Sequence, residues 1–132
     1  MTSTTATGLR EINLVVVPII DSDRAIEFYV EKLGFEKRRD EAFGESGYRW
    51  VEVYPPSGTT GIALAPPPPG QDVTPTVTGI SLVTQDIDAT HAELLARGVD
   101  VDAEVMRMGG PVPPLFWLRD ADGHTLMVVE AS

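Results

Sequence analysis

Apolar residues fall along this chain in short runs of two kinds, and the order of those kinds occurs twice. The run Ile12-Asn13-Leu14-Val15-Val16-Val17 reads as a buried strand. Asp21-Ser22-Asp23 then signals a helix start. From Arg24 to Leu33 the apolar residues Ile26, Tyr29, Val30 and Leu33 fall on one helical face, and Gly34 ends the helix as a left-handed cap. Phe35–Asp40, Tyr48–Tyr54 and Gly61–Ala65 read as three further strands, the last two joined by the turn Pro55-Pro56-Ser57-Gly58. The polar, glycine-containing stretch Glu41 to Gly47 reads as a loop.

The second half repeats the order. Ile80–Val83 is a strand, Asp86-Ile87-Asp88 opens a helix through Leu94 and Leu95, and Gly98 ends it. Val99–Val101 and Leu115–Arg119 are strands, Asp120-Ala121-Asp122-Gly123 is a tight turn, and Leu126–Val129 closes the chain. Pro66-Pro67-Pro68-Pro69 fits neither a helix nor a paired strand, so it predicts a stiff, extended connector. The pattern therefore predicts an α+β domain of two βαβββ modules: a disordered tail at 1–10, a first module at 11–66, a Pro-rich linker at 67–77 and a second module at 78–132.

Composition narrows the function. With 132 residues, 42% hydrophobic and 23% charged, the chain is that of an ordinary globular domain. No apolar stretch reaches the ~20 residues of a membrane span. The Thr/Ser/Ala-rich start lacks the basic and apolar regions of a secretory signal, which leaves the cytoplasm as the expected location. Absence of cysteine excludes disulfides and thiolate chemistry. A net charge of −10 disfavours nucleic acid and suits either a cationic partner or simple solubility.

The stretch Asp21-x-x-Arg24-Ala25-Ile26-x-Phe28-Tyr29-x-x-x-Leu33-Gly34-Phe35 resembles the first-module signature of the vicinal oxygen chelate superfamily, the glyoxalase/bleomycin-resistance/dioxygenase fold. Asp86-Ile87-Asp88-Ala89, Glu93-Leu94 and Arg97-Gly98-Val99 resemble its second module, and Arg119-Asp120-Ala121-Asp122-Gly123 its closing turn. The resemblance implies that each module curls its sheet into half of a cavity. It further implies that a homodimer often completes the site. Metal-dependent members place a ligand in the first and last strand of each module. The resemblance puts those four positions on Leu14, Ala63, Gly79 and Met127, none of which offers a hard donor. No metal and no cofactor is expected. His91 and His124 are expected on the surface.

Strand alternation then assigns faces. Val51, Val53, Phe116 and Leu118 should pack under the helices. Trp50, Glu52, Tyr54, Ser81, Leu115, Trp117, Arg119 and Met127 should line the cavity, with Met106 and Met108 in a loop that is either an adaptable lid or an ordinary connection. Such a lining suits a flat or bulky organic ligand, although both tryptophans could equally fill space or a dimer seam. Glu52 is a candidate ligand-orienting carboxylate or general base with Tyr54, or else the partner of Arg119 in a structural ion pair. Three functions follow: a metal-free small-molecule binder like the drug-sequestering bleomycin-resistance branch, an enzyme of the same fold working through Glu52 and Tyr54, or a non-catalytic regulatory or interaction protein.

Overall fold

The computed structural model describes residues 6–44 and 48–131; the predicted tail at 1–5 and the tip of the Glu41–Gly47 loop lie outside the described residues. Two four-stranded sheets form. The first comprises β1 (Leu14–Pro18), β2 (Glu36–Phe43), β3 (Tyr48–Tyr54) and β4 (Gly61–Ala65) in the order β1-β4-β3-β2. The second comprises β5 (Val77–Thr84), β6 (Asp100–Val101), β7 (Leu115–Arg119) and β8 (Thr125–Glu130) in the order β5-β8-β7-β6. In each, the first and last strands run parallel and the other pairs antiparallel. The two-module α+β reading of the sequence therefore holds.

Both crossover helices start at an aspartate cap. Asp21 accepts the Arg24 N–H at 3.1 Å before α1 (Ser22–Ile26), and Asp86 accepts the Ala89 N–H at 3.1 Å before α2 (Ile87–Ala96). Both helices end at a left-handed glycine, Gly34 at φ +80° and Gly98 at φ +79°, but the bonding before it differs. Past α2, Gly98 takes φ +79°, its N–H reaches Leu95 O, and the Val99 N–H reaches Leu94 O, the pairing of a Schellman cap. The first helix was expected to be regular through Leu33. Instead, Glu27–Lys32 widens into a π-helical segment, with the Leu33 N–H on Phe28 O at 3.1 Å and the Phe35 N–H on Tyr29 O at 2.9 Å. The wider turn carries the adjacent rings of Phe28 and Tyr29 into the core together, edge to face at 5.2 Å.

Three other expectations are corrected. Glu41, Ala42 and Phe43 belong to β2, whose cross-strand partners are Trp50, Arg49 and Tyr48. The proline connector bends: Gly70 takes φ +83° and the Gln71 N–H returns to Pro68 O at 3.1 Å. His124 is fully buried rather than exposed.

One continuous core joins the modules. Val51, Val53, Ile62 and Leu64 from the first sheet share it with Phe116, Leu118, Leu126 and Val128 from the second. The turn after β7 locks the two together. Asp120 accepts the Tyr29 hydroxyl at 2.8 Å and the backbone N–H groups of Asp122 and His124 at 2.9 Å each. Burial, then the Asp120 charge and hydrogen bond, push the Tyr29 phenol far above its ordinary value, so it stays a donor. His124 Nδ1 accepts the Thr76 N–H at 3.2 Å, which leaves Nε2 as the protonated nitrogen, donating to Pro18 O at 2.8 Å. Arg24 also donates to Ala121 O, and the Ile20 N–H donates to Asp122.

Removing either lock residue should be costly because it strands buried partners. His124→Ala should lose about 2 to 4 kcal/mol of unfolding free energy and Tyr29→Phe about 1 to 2 kcal/mol in chemical denaturation. A His124→Ala variant as stable as the wild type would mean that the histidine does not join the modules.

Candidate functional site

Each sheet turns one face to the shared core and the other away from it. On the outward face of the first sheet, β3 contributes Tyr48, Trp50, Glu52 and Tyr54. Opposite them in register, β2 contributes Phe43, Glu41, Arg39 and Glu36. Across the sheet, Glu52 pairs with Ala63 and Ala63 with Val16. Glu52 is held by its own strand: Trp50 Nε1 donates to one carboxylate oxygen at 2.8 Å and the Tyr54 hydroxyl to the other at 3.1 Å. Burial, then the bond to Glu52, push the Tyr54 phenol above its ordinary range. The Tyr54 ring lies flat on Gly61, where a methyl group would sit 2.6 Å from Tyr54 Cε2. Arg38 stacks over the same ring, 4.4 Å from its centroid.

The outward face of the second sheet is more aliphatic. Ser81, Met127 and Trp117 form one row across β5, β8 and β7; Val83 aligns with Val129, and Val129 with Leu115, in the next. Met106 bridges to Leu115, and Gly109 to Val112, so Met106–Leu115 is a short hairpin with Gly109 and Gly110 both at positive φ. This hairpin and the ends of β5 and β8 enclose a groove of about 910 Å³ that includes Val83, Arg107, Val129 and Glu130. Neither Met106, which bridges to Leu115 at the base of the hairpin, nor Met108, which projects into solvent, lines the groove.

The structure thus groups the sequence-derived candidates into two sets. Trp50, Glu52 and Tyr54 lie together on one sheet; Ser81, Leu115, Trp117, Met127 and Met106 lie together on the other. Among the described residues no strand pairing joins the two sheets. Glu52 and Arg119 do not pair. Arg119 instead binds Asp102 and Asp100, each at 2.9 Å, and this holds the Asp100 carboxyl below its usual range. Asp102 also accepts the Trp117 N–H at 3.0 Å, and its carbonyl takes the Nε2 hydrogen of half-buried His91 at 2.7 Å. Sequence reasoning put Arg39 and Tyr48 in strands without assigning them to this face, and it missed Glu41 and Phe43 because β2 looked like a loop after Asp40. The alternation Arg39-x-Glu41-x-Phe43 was the available signal.

The metal positions can be checked on the backbone. Val16, not Leu14, is in register with Ala63; Leu14 aligns with Gly61. In the second module Ser81, not Gly79, aligns with Met127, and Gly79 sits at φ +77° where the β5 register shifts. Neither alignment supplies an imidazole or carboxylate. Among the described residues, no group of three or more His, Cys, Asp or Glu is placed to hold a metal ion. The donor set does not fit a divalent cation.

Two modules of this topology, packed on a common core, define a known class. The profile of the Glyoxalase/Bleomycin resistance protein/Dioxygenase superfamily matches residues 11–128, and the chain belongs to that family. Among solved structures it is similar to TnmS3, an antibiotic binding protein from Streptomyces sp. CB03234, with 30% identity, a TM-score of 0.80, and coverage of 96% of this chain and 100% of that one. It is also similar to a superfamily member from Sphaerobacter thermophilus DSM 20745, with 33% identity, a TM-score of 0.81, and coverage of 93% and 98%. YurT of Bacillus subtilis (strain 168) is 28% identical over 134 residues, covering 90% of this chain and 99% of YurT.

Gly61→Ala should force Tyr54 off the sheet and cost about 1 to 3 kcal/mol in unfolding free energy. The same change in a Tyr54→Ala background should cost much less, and equal costs in the two backgrounds would show that the ring does not depend on Gly61. A second test concerns β2 and β3. Arg49 and Lys37 hold the Asp40 carboxyl well below the ordinary carboxylate range, so its contribution is present at neutral pH and lost as pH falls. The stability deficit of Asp40→Asn should therefore be largest near neutrality and shrink below the ordinary aspartate value of about 4. A deficit that does not change with pH would rule out this linkage.

Proposed function

We propose that this protein binds a small, flat organic molecule without a metal ion. On this reading it acts in the cytoplasm as a homodimer in which the outward faces of two copies enclose the ligand. The observation that carries the reading is the aromatic row on β3. Trp50 and Tyr54 flank a fixed carboxylate on the sheet where the family's metal positions fall on Leu14 and Ala63, with Val16 in register with Ala63. Rings pre-set by hydrogen bonds and by Gly61 offer stacking surface at little entropic cost. The second face supplies a complementary apolar surface in Trp117, Met127 and Leu115, with Val83 exposed beside them. The antibiotic binding of TnmS3 supports the same reading. A homodimer fits because each face on one chain is open and the two lie on separate sheets. Catalysis with Glu52 as a free base draws no support from the site, since both Glu52 oxygens already accept hydrogen bonds.

Thermal unfolding with a panel of planar aromatic compounds tests the reading. A compound binding only the native state at 100 times its Kd should add roughly 2.7 kcal/mol. Ni²⁺, Zn²⁺, Mn²⁺ and Fe²⁺ should leave the midpoint unchanged. A strong shift with a divalent ion, or no shift with any organic compound, would overturn it.

A further inference from the structure

We infer that the groove beside Trp50 is a seat for an organic cation, and that Arg39 occupies it in the ligand-free protein as an exchangeable stand-in. This deepens the small-molecule reading above and rests on it. The groove holds about 510 Å³ and is walled by Arg39, Glu41, Phe43 and Trp50, with Ala42 at its edge. Within the wall Arg39 and Glu41 offset each other, but Glu52 lies just behind it, bonded to Trp50 Nε1 and 3.9 Å from Arg39, and tips the balance. Glu41 and Glu52 face the same side of β2 and β3, and the one guanidinium between them is Arg39. That leaves one uncompensated negative charge against an indole, a setting that attracts a cation through both the carboxylate and the ring.

Arg39 is also held loosely. Its nitrogens lie 3.4 Å from Glu41 and 3.9 Å from Glu52, and the side chain is 56% exposed. Arginines elsewhere in the molecule show what a settled pair looks like: Arg49 meets Asp40 at 2.7 Å and Arg119 meets Asp102 at 2.9 Å. Glu52, by contrast, is fixed by Trp50 and Tyr54 and only 12% exposed. A fixed carboxylate paired at long range with an exposed cation is an arrangement in which the cation can be replaced. A planar ligand bearing an amidinium, guanidinium or protonated heteroaromatic nitrogen would replace the Arg39 guanidinium beside Glu52 and stack on Trp50. A neutral ring of the same shape would gain only the stacking.

Two probes of equal size separate these contributions: proflavine, a three-ring cation at neutral pH, and acridone, its neutral counterpart. Titrations followed by tryptophan fluorescence should show proflavine binding about tenfold more tightly than acridone. Glu52→Gln should bring the two towards parity. Glu41→Gln, at an exposed position that folding does not need, should weaken proflavine alone by a few-fold. Arg39→Gln should strengthen proflavine several-fold and leave acridone unchanged. Arg10→Gln makes the same change in net charge far along the chain and should alter neither. If both probes bind the wild type equally, or Arg39→Gln leaves proflavine unchanged, the cation seat is wrong while the small-molecule reading stands. If neither probe nor any other planar compound binds, both fall.

Discussion

The fold turns on the buried Asp120 carboxylate and the turn that carries it. Asp120 collects the Tyr29 hydroxyl from the first module and the N–H groups of Asp122 and His124 from its own turn. Three donors around one buried carboxylate leave few lone-pair sites unmet, which is the condition under which such burial is tolerated. His124, two residues past the Asp122 side chain that takes the Ile20 N–H, extends the same junction to Pro18 and Thr76. The junction thus reaches the end of β1, the π-helical segment, the connector and the β7–β8 turn at one place.

That junction settles which way the sheets face. With helices and core-facing strand residues committed to a common interior, each sheet has one face left, and the two available faces are chemically unlike. The first is aromatic and charged, with Glu52 clamped between Trp50 and Tyr54. The second is apolar and bordered by the Gly109–Gly110 hairpin. The difference follows from single substitutions between matched rows: Val16, Ala63 and Glu52 in one module stand where Ser81, Met127 and Trp117 stand in the other. A ligand that touched both faces would meet charge at one end and hydrocarbon at the other.

Most of the architecture could be read from the chain because helix caps and two-residue alternation are local signals. Asp21, Asp86 and Gly98 marked helix ends, and Val51, Val53, Phe116 and Leu118 took the core face that alternation assigned to them. The misreadings arose where periodicity and turn signals do not report the partner a residue meets in the fold. His124 follows a hairpin glycine and looked solvent-facing; its burial depends on Pro18, 106 residues away. The π turn at Glu27–Lys32 answers to the demand for two adjacent buried rings, which a 3.6-residue period cannot express. β2 was legible only as far as Asp40; pairing with β3 carries it on through Glu41, Ala42 and Phe43, so that part of the outward face went unseen. Glu52 and Arg119 looked like mutual partners because no sequence signal shows that Asp100 and Asp102 lie nearer to Arg119.

The placement of positive charge in this acidic chain has a consequence for how copies can stack. Four of its ten cationic side chains, Lys37, Arg38, Arg39 and Arg49, lie on β2 and β3, and the register between these strands shifts between Lys37 and Arg39. β2 is the outer strand of its sheet, so its remaining hydrogen-bonding edge is both charged and kinked. An incoming strand would have to match that kink and displace ion pairs already made along it. Lengthening of the sheet by addition of further strands, the first step of fibril growth, is therefore opposed at this edge, even though exposed valines on the outward faces leave the molecule able to meet others face to face.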